Sequence, residues 1–361
     1  MLPLKEPPLS PDKLNTLRLY FSERGTGRRY AVGRNDDVLG LAARWGLTAI
    51  VDDFYPAPEW RTIPVIKSAD LPPDALVVNG STSISPVAVD RLLQNLEGKI
   101  AGHFALGDAC RAPGQPVTFP AFMGETRADF EANRDRWESL YSRLGDAESR
   151  RTLEDVLSFR LWGAVEGMAG YTIRLQDQYF DPCLALTREE SFVDGGGFDG
   201  DTTEQLHRRA GGLKASYFLE PSAENMEKAR TRLAGIDGVV YLPFGLSDRR
   251  TQLRFDSGAG SASRISAHGA NVIEVAPLDE LVSGKITFLK LDVEGAELAA
   301  LRGAAKHIVN DHPKMAIAVY HRAPDFWQVP AYIDTLSEDY RLFLRHYTQG
   351  WSETILYFAP R

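Results

Sequence analysis

Ser191-Phe192-Val193-Asp194-Gly195-Gly196-Gly197-Phe198-Asp199-Gly200-Asp201-Thr202-Thr203 is the stretch on which the fold turns. A short apolar run with a β-branched residue ends in an acid and a glycine cluster, and a helix-competent segment follows from Thr202, so the stretch reads as strand, tight loop, helix. Glycines let the backbone approach a ligand closely and adopt positive φ. The helix start behind them offers unpaired N–H groups and a partial positive charge, which together suit a nucleotide. The spacing Asp194-x-Gly196-x-x-x-Gly200 differs from the dinucleotide pattern G-x-G-x-x-G, because the acid comes first and no third glycine opens the helix in register. This argues against nicotinamide and flavin.

Downstream of the loop, apolar strands alternate with amphipathic helices, the pattern of a doubly wound α/β sheet. The expected strands after the first are Ser216 to Leu219, Val239 to Leu242, Ile286 to Leu291, Met315 to Tyr320, Arg341 to Leu344 and Thr354 to Phe358. Met226, Ala229 and Leu233 mark one helix face, and Leu298, Leu301, Ala305 and Ile308 another. Gln252 to Phe255, the loop Gly258 to Ser263 and Val272 to Val275 read as an inserted hairpin or edge element. Upstream, residues 1–28 form a Pro-rich arm with a short helix near Asp12 to Tyr20. Residues 29–118 read as a smaller Rossmann-like α/β module. Its loop carries only Gly33, followed by Arg34-Asn35-Asp36-Asp37, with Asp52 and Asp53 where a dinucleotide fold holds ribose. The spacing favours packing or assembly over a working nucleotide site. Residues 119–185 are charged and helical, a candidate lid or substrate wall over the glycine loop, and residues 186–361 hold the main sheet.

Composition narrows the function. The hydrophobic content of 43% and charged content of 25% belong to ordinary globular protein. A formal net charge of −8 and the lack of a long basic block make nucleic acid an unexpected partner. Two cysteines, Cys110 and Cys183, are too few for a disulfide framework or a zinc site and suit a reducing compartment. No signal peptide opens the chain, and no window reaches the roughly 18 apolar residues of a membrane span, so a cytoplasmic protein without membrane association is expected. Oligomeric state stays open, a homo-oligomer included.

Asp194 to Thr203 resembles the first motif of FkbM-family S-adenosylmethionine-dependent methyltransferases, whose loop commonly runs D-x-G-A-x-x-G-D-T. Gly197 stands where that family usually has alanine. Asp292-Val293-Glu294-Gly295-Ala296-Glu297 matches the family's D-V-E-G-A-E without a departure. Glu220-Pro221 stands at its E-P pair, Ser247-Asp248 at its S-D on the adenine side, and Tyr320-His321 and Arg345-His346-Tyr347 at its Y-H and R-H-Y features. The resemblance spans roughly Phe119 to Arg361. It implies a class I methyltransferase sheet of seven strands, S-adenosylmethionine as cofactor, and O-methylation of a hydroxyl on a sugar or other natural-product scaffold.

On this reading Asp194, Gly195, Gly196, Gly197, Asp199, Gly200, Asp201, Thr202, Glu220, Ser247, Asp248 and Asp292 bind the cofactor. A carboxylate at the strand end, Glu220, can accept from both ribose hydroxyls. Asp292 and Glu294, two apart on extended backbone, face one crevice. The expected catalytic set is His321, Asp292, Glu294 and His346. His321 is the expected base and Asp292 the group that orients base or substrate, with the opposite assignment open. His103, His207, His268, His307 and His312 read as surface or packing residues. With no H-x-x-x-H or C-x-x-C, no metal is expected to be required. Two other functions remain at this point: an NAD(P)-dependent oxidoreductase using the first module, and a non-catalytic nucleotide- or sugar-binding protein.

Overall fold

The computed structural model describes residues 2–114, 117–256, 264–265 and 271–361. The expected Gly258–Ser263 loop and His268 lie outside these. The chain divides into two compact units: Met1–Asn133, Thr152–Ile173 and Tyr347–Ser352 form the first, and Arg134–Arg151, Arg174–His346 and Glu353–Arg361 the second. The charged segment 119–185 is therefore shared between them.

In the first unit the strands are β1 (Arg29–Val32), β2 (Ala49–Val51), β3 (Glu59–Trp60), β4 (Ile63–Ile66), β5 (Leu76–Asn79) and β6 (Gly102–Ala105), in the order β3-β4-β2-β1-β5-β6. All neighbours are parallel except β3 with β4. The period of two sorts side chains onto two cores: Ala31, Ile50 and Val78 pack on one face, Tyr30, Ala49, Val51 and Val77 on the other. The expected arm helix is Pro11–Tyr20, capped by Ser10, whose Oγ accepts from Lys13 N at 3.2 Å. Asp52, the acid that stood where ribose would be held, is occupied by its own neighbours. One oxygen accepts from the N–H groups of Phe54 and Tyr55 at 2.9 Å each, and the other from Arg34 Nε at 2.8 Å.

The second unit contains β7 (Ser191–Gly195), β8 (Ala215–Leu219), β9 (Val239–Leu242), β10 (Gly245–Leu246), β11 (Thr251–Asp256), β12 (Arg264–Ile265), β13 (Asn271–Ala276), β14 (Phe288–Leu291), β15 (Lys314–Ala318), β16 (Tyr340–His346) and β17 (Thr354–Pro360). Seven of these form the main sheet, ordered β16-β17-β15-β14-β7-β8-β9, and β10-β13-β11-β12 form a small second sheet. The expected hairpin is real: β11 and β13 pair antiparallel. From β7 the chain builds outward through β8 to β9, then returns to β14 on the other flank of β7, with parallel pairing throughout. The crevice beyond the carboxyl ends of β7 and β14 is thus the topological switch point, where open α/β sheets bind their ligands.

The central strands are apolar because both faces are covered. Every residue of β7 and β14 is buried, and Phe192 stacks on Phe288 at 4.9 Å. Two charges break this rule together. Lys290 lies directly opposite Asp194 in the β14–β7 register, and its Nζ stands 3.0 Å from Asp194 Oδ1.

Two expectations need correction. The helix drawn through Leu298 to Ile308 is two helices, Glu297–Arg302 and Ala305–Asp311. The break follows from Asp279, which takes the Gly303 carbonyl with its own N–H at 2.9 Å and caps the second helix by accepting from Lys306 and His307 N–H groups. Strands β3, β4 and β6, absent from the sequence reading, are short or flanked by polar residues and leave little periodic signal.

Removing one member of the buried pair leaves the other charge uncompensated. Lys290→Met is expected to lower stability by roughly 3–5 kcal/mol, with Lys290→Met/Asp194→Asn recovering a large part. Urea unfolding midpoints measure both, and a single variant as stable as the parent would show the pair to be structurally idle.

Candidate active site

The strand–loop–helix unit opens the site. Beyond β7 the chain turns through Gly196 at φ 75° and Gly200 at φ 87° into the helix Asp201–Ala210. The Gly196 and Gly197 N–H groups donate to Leu219 O at 3.1 and 3.0 Å, and Lys290 Nζ donates to Gly196 O at 2.7 Å. A Cβ on Gly196 would sit 1.9 Å from Asp292 O, and one on Gly197 would sit 2.2 Å from the Phe218 ring. The glycines therefore admit neighbouring chain as well as a ligand. Glycine at 197, where the resembled loop has alanine, leaves room for that aromatic ring.

A cavity of about 330 Å³ lies within the second unit, entirely beside this loop. Of the candidate residues, Gly196, Gly197, Asp201, Thr202, Glu220, Asp292 and Glu294 line it. Glu220 is 6% exposed; Oε2 accepts from Phe198 N at 3.0 Å and Oε1 from Ser222 N at 2.8 Å. With Asn225 also bonding the carboxylate, it still keeps acceptor capacity for a ligand hydroxyl. Burial raises the Glu220 pKa, and the two backbone N–H groups oppose that rise. Leu246, Ile273 and Val275 supply an apolar wall.

Toward the β14 edge the cavity is acidic. Asp292 Oδ2 accepts from the Tyr179 hydroxyl at 2.5 Å, and Glu353 Oε2 accepts from Gln178 Nε2 at 2.8 Å. Glu294 takes a left-handed backbone at φ 56°, an unfavourable state for a residue with a Cβ. Burial, reinforced by the charge of Asp292, pushes Glu353 up to about 7. Glu294 is likewise raised by burial, with His321 opposing. For His321, burial acts to lower the pKa, yet Glu297, Glu294 and Asp292 outweigh it and hold the imidazole well above its ordinary value.

Residues 194–349 match the methyltransferase FkbM domain. Over those residues the chain is similar to an FkbM methyltransferase domain. Among solved structures, the fold is similar to methyltransferase FkbM from Methylobacillus flagellatus KT, at 24% identity over 97% of this chain and 94% of that one, with a TM-score of 0.73. Partial overlaps occur with an rRNA methylase from Streptococcus thermophilus (17% identity, 49% of this chain, 90% of that one, TM-score 0.34). Another is with the fibrillarin of Aeropyrum pernix in complex with natively bound S-adenosyl-L-methionine (12%, 51%, 71%, TM-score 0.34). No curated protein sequence matches the chain. The fold is that of a class I methyltransferase, and among the described residues no helix is long and apolar enough to cross a membrane.

Several predicted residues lie off the cavity wall. Asp194 is fully buried behind the loop, held by Lys290 and by the Thr203 hydroxyl at 2.8 Å. Gly195 is packed between Leu291 and Leu246, and Asp199 pairs with Arg232 at 2.7 Å. Gly200 precedes the helix as its cap. Ser247 and Asp248 run past the cavity: β10 pairs with β13, which turns Leu246 and Val275 to the wall and leaves Asp248 exposed beside Arg249. His346, placed in the catalytic set, is 1% exposed and bonds through Nδ1 to Thr354 Oγ1 at 2.9 Å. It is the cross-strand partner of Thr354, so ending a strand gave it a neighbour in the sheet instead of a place in the crevice. His321 stands behind the wall acids: Nδ1 is 3.0 Å from buried Glu297, and Nε2 faces Asp292 and Glu294.

The wall also holds Gln178, Tyr179, Lys290, Tyr320 and Glu353, which the sequence reading did not single out as site residues. Lys290 had a signal, a lysine inside an otherwise apolar strand. Glu353 had none, since it joins the cluster across more than fifty residues of chain. Arg345 serves the scaffold: its guanidinium binds Asp146 at 2.8 Å and Asp181 at 3.0 Å.

Gly197→Ala is expected to cost about 1–3 kcal/mol through overpacking against Phe218. Thermal melting measures it, and Phe218→Leu in the Gly197→Ala background should return part of the loss; equal melting of Gly197→Ala and parent would contradict the crowding.

Proposed function

We propose that this chain transfers the methyl group of S-adenosylmethionine to a hydroxyl of a small sugar-like or other natural-product acceptor. The observation that carries the reading is one cavity with two chemically different ends. Buried Glu220 and an apolar wall of Leu246, Ile273 and Val275 stand at one side. Asp292, Glu294 and Glu353 crowd the other. The residues present fit an adenosyl ligand: Glu220 retains acceptor capacity for ribose hydroxyls, Gly196 and Gly197 keep the loop free of side chains, and the apolar wall suits a flat base. When bound, S-adenosylmethionine supplies an activated methyl carbon whose bond to sulfur breaks with the electron pair staying on sulfur.

The protein's part is alignment and proton removal. A cation-bearing ligand is favoured beside several carboxylates, and the neutral product of transfer loses that attraction. The acceptor hydroxyl must lose its proton as its oxygen bonds to carbon, and the ideal base has a pKa near working pH. Glu353 meets this condition at about 7. Tyr179 and Tyr320, both held well above the ordinary tyrosine pKa chiefly by burial, stay protonated; Tyr179 donates to Asp292 Oδ2 and Tyr320 bonds Glu353, which fixes the two carboxyl groups in place. The density of carboxylates and phenols favours a polyhydroxylated acceptor over an amine, whose ammonium form they would trap. An acidic wall and net charge of −8 disfavour a polyanionic one.

Calorimetry with S-adenosylhomocysteine is expected to show one site per chain, and Glu220→Ala to weaken it at least about tenfold, equivalent to 1.4 kcal/mol. Unchanged affinity would remove Glu220 from this role. Glu353→Gln is expected to lower kcat by roughly 10²–10⁴-fold with cofactor affinity retained. The parent's rate should be low below pH 7 and rise as Glu353 ionises through about 7. Should the Glu353→Gln profile keep that same limb, another group is the base.

A further inference from the structure

Three side chains beside the acidic wall bring their donor atoms close together. His321 Nε2 lies 3.4 Å from Asp292 Oδ1 and 3.3 Å from Glu294 Oε2, and one donor atom from each of the three falls within 4.8 Å of the others. Asp292 Oδ1 and both ring nitrogens of His321 lack a hydrogen-bond partner among the described residues, although the His321 side chain is only 10% exposed. Glu297, 0% exposed, stands 3.0 Å from His321 Nδ1. A carboxylate behind the far nitrogen is how proteins orient a metal-binding imidazole. Charge points the same way. Asp292, Glu294 and Glu297 lie around the His321 imidazole, and Lys290, whose charge also acts on Asp292, is bonded to Asp194 and the Gly196 carbonyl. Anions crowded out of water call for a cation.

We infer that Asp292 Oδ1, Glu294 Oε2 and His321 Nε2 form a site for one divalent cation of the magnesium and manganese class. Two ligands at about 2.1 Å from such an ion and at right angles stand about 3.0 Å apart, a few tenths of an ångström below the separations found. Two oxygen donors to one nitrogen, with no sulfur, select a hard ion and leave coordination positions open. The sequence reading expected no required metal because it sought ligands close together in the chain. Here two come from the end of β14 and the third from the end of β15. Resting on the proposed methyl transfer, the ion's role is to draw charge from the acceptor oxygen. The O–H proton passes to Glu353, the oxygen bonds to the methyl carbon, and the carbon–sulfur bond breaks onto sulfur. Binding of the ion does not depend on that chemistry.

Mn²⁺ titrated into chelator-treated full-length protein, followed by electron paramagnetic resonance, is expected to show one bound ion per chain. His321→Ala and Asp292→Asn should each weaken it at least about tenfold, with circular dichroism establishing that both are folded. A parent chain that takes up no Mn²⁺ overturns the site without recourse to variants, and leaves an imidazolium ringed by carboxylates. Folded variants that bind Mn²⁺ as the parent does also overturn it. S-adenosylhomocysteine titrated into the same samples separates the two proposals. Its binding without Mn²⁺ uptake removes the ion and keeps methyl transfer; Mn²⁺ uptake without its binding keeps the ion and removes the cofactor reading.

Discussion

The structure of the second unit hangs on one buried ion pair. Lys290 and Asp194 occupy facing positions on the two central strands, 3% and 0% exposed. A lone charge there would be prohibitive, and a pair is tolerable only when its remaining hydrogen-bonding capacity is used. Part of it is used: Asp194 Oδ2 accepts from Thr203, and Lys290 donates to the Gly196 carbonyl. The same contacts tie the loop after β7 to the first turn of the following helix and to β14. A polar interaction in the sheet interior thus sets the backbone path on which ligand approach depends.

The topology does the rest. Because the chain reverses direction of build between β7 and β14, the helices flanking those strands diverge and leave a crevice at their carboxyl ends. β8 contributes Glu220 to one side of it. β14 contributes Asp292 and Glu294 to the other, and residues 175–180 and 353 close over the acids. Burial explains why Glu220, Glu294 and Glu353 are displaced toward higher pKa, the condition in which a carboxyl group is useful near neutral pH.

What could be read from the chain follows the reach of local chemistry. The glycine loop and the D-V-E-G-A-E turn are short, and their backbone demands are written in consecutive residues, so both were legible along with the seven-stranded sheet. Glu220 was legible because a strand end preceding Pro221 places it. Positions whose role depends on a distant partner were not. Glu353 acquires its environment from Asp292 and Gln178, and Tyr179 from Asp292. His346 looked like a crevice residue until Thr354 was seen opposite it. Asp194 led the motif and was expected at the ligand, whereas its partner on the neighbouring strand turns it inward. The motif spacing pointed to residues around one crevice but could not say which of them faced the cavity.

The near contact between Gly196 and the Asp292 carbonyl has a broader consequence. With no room for even a methyl group between them, no residue bearing a Cβ fits at position 196 without shifting the Asp292 carbonyl. The glycine loop after β7 and the acidic turn after β14 are thus pinned to each other through backbone, and a change at that point disturbs both sides of the cavity at once.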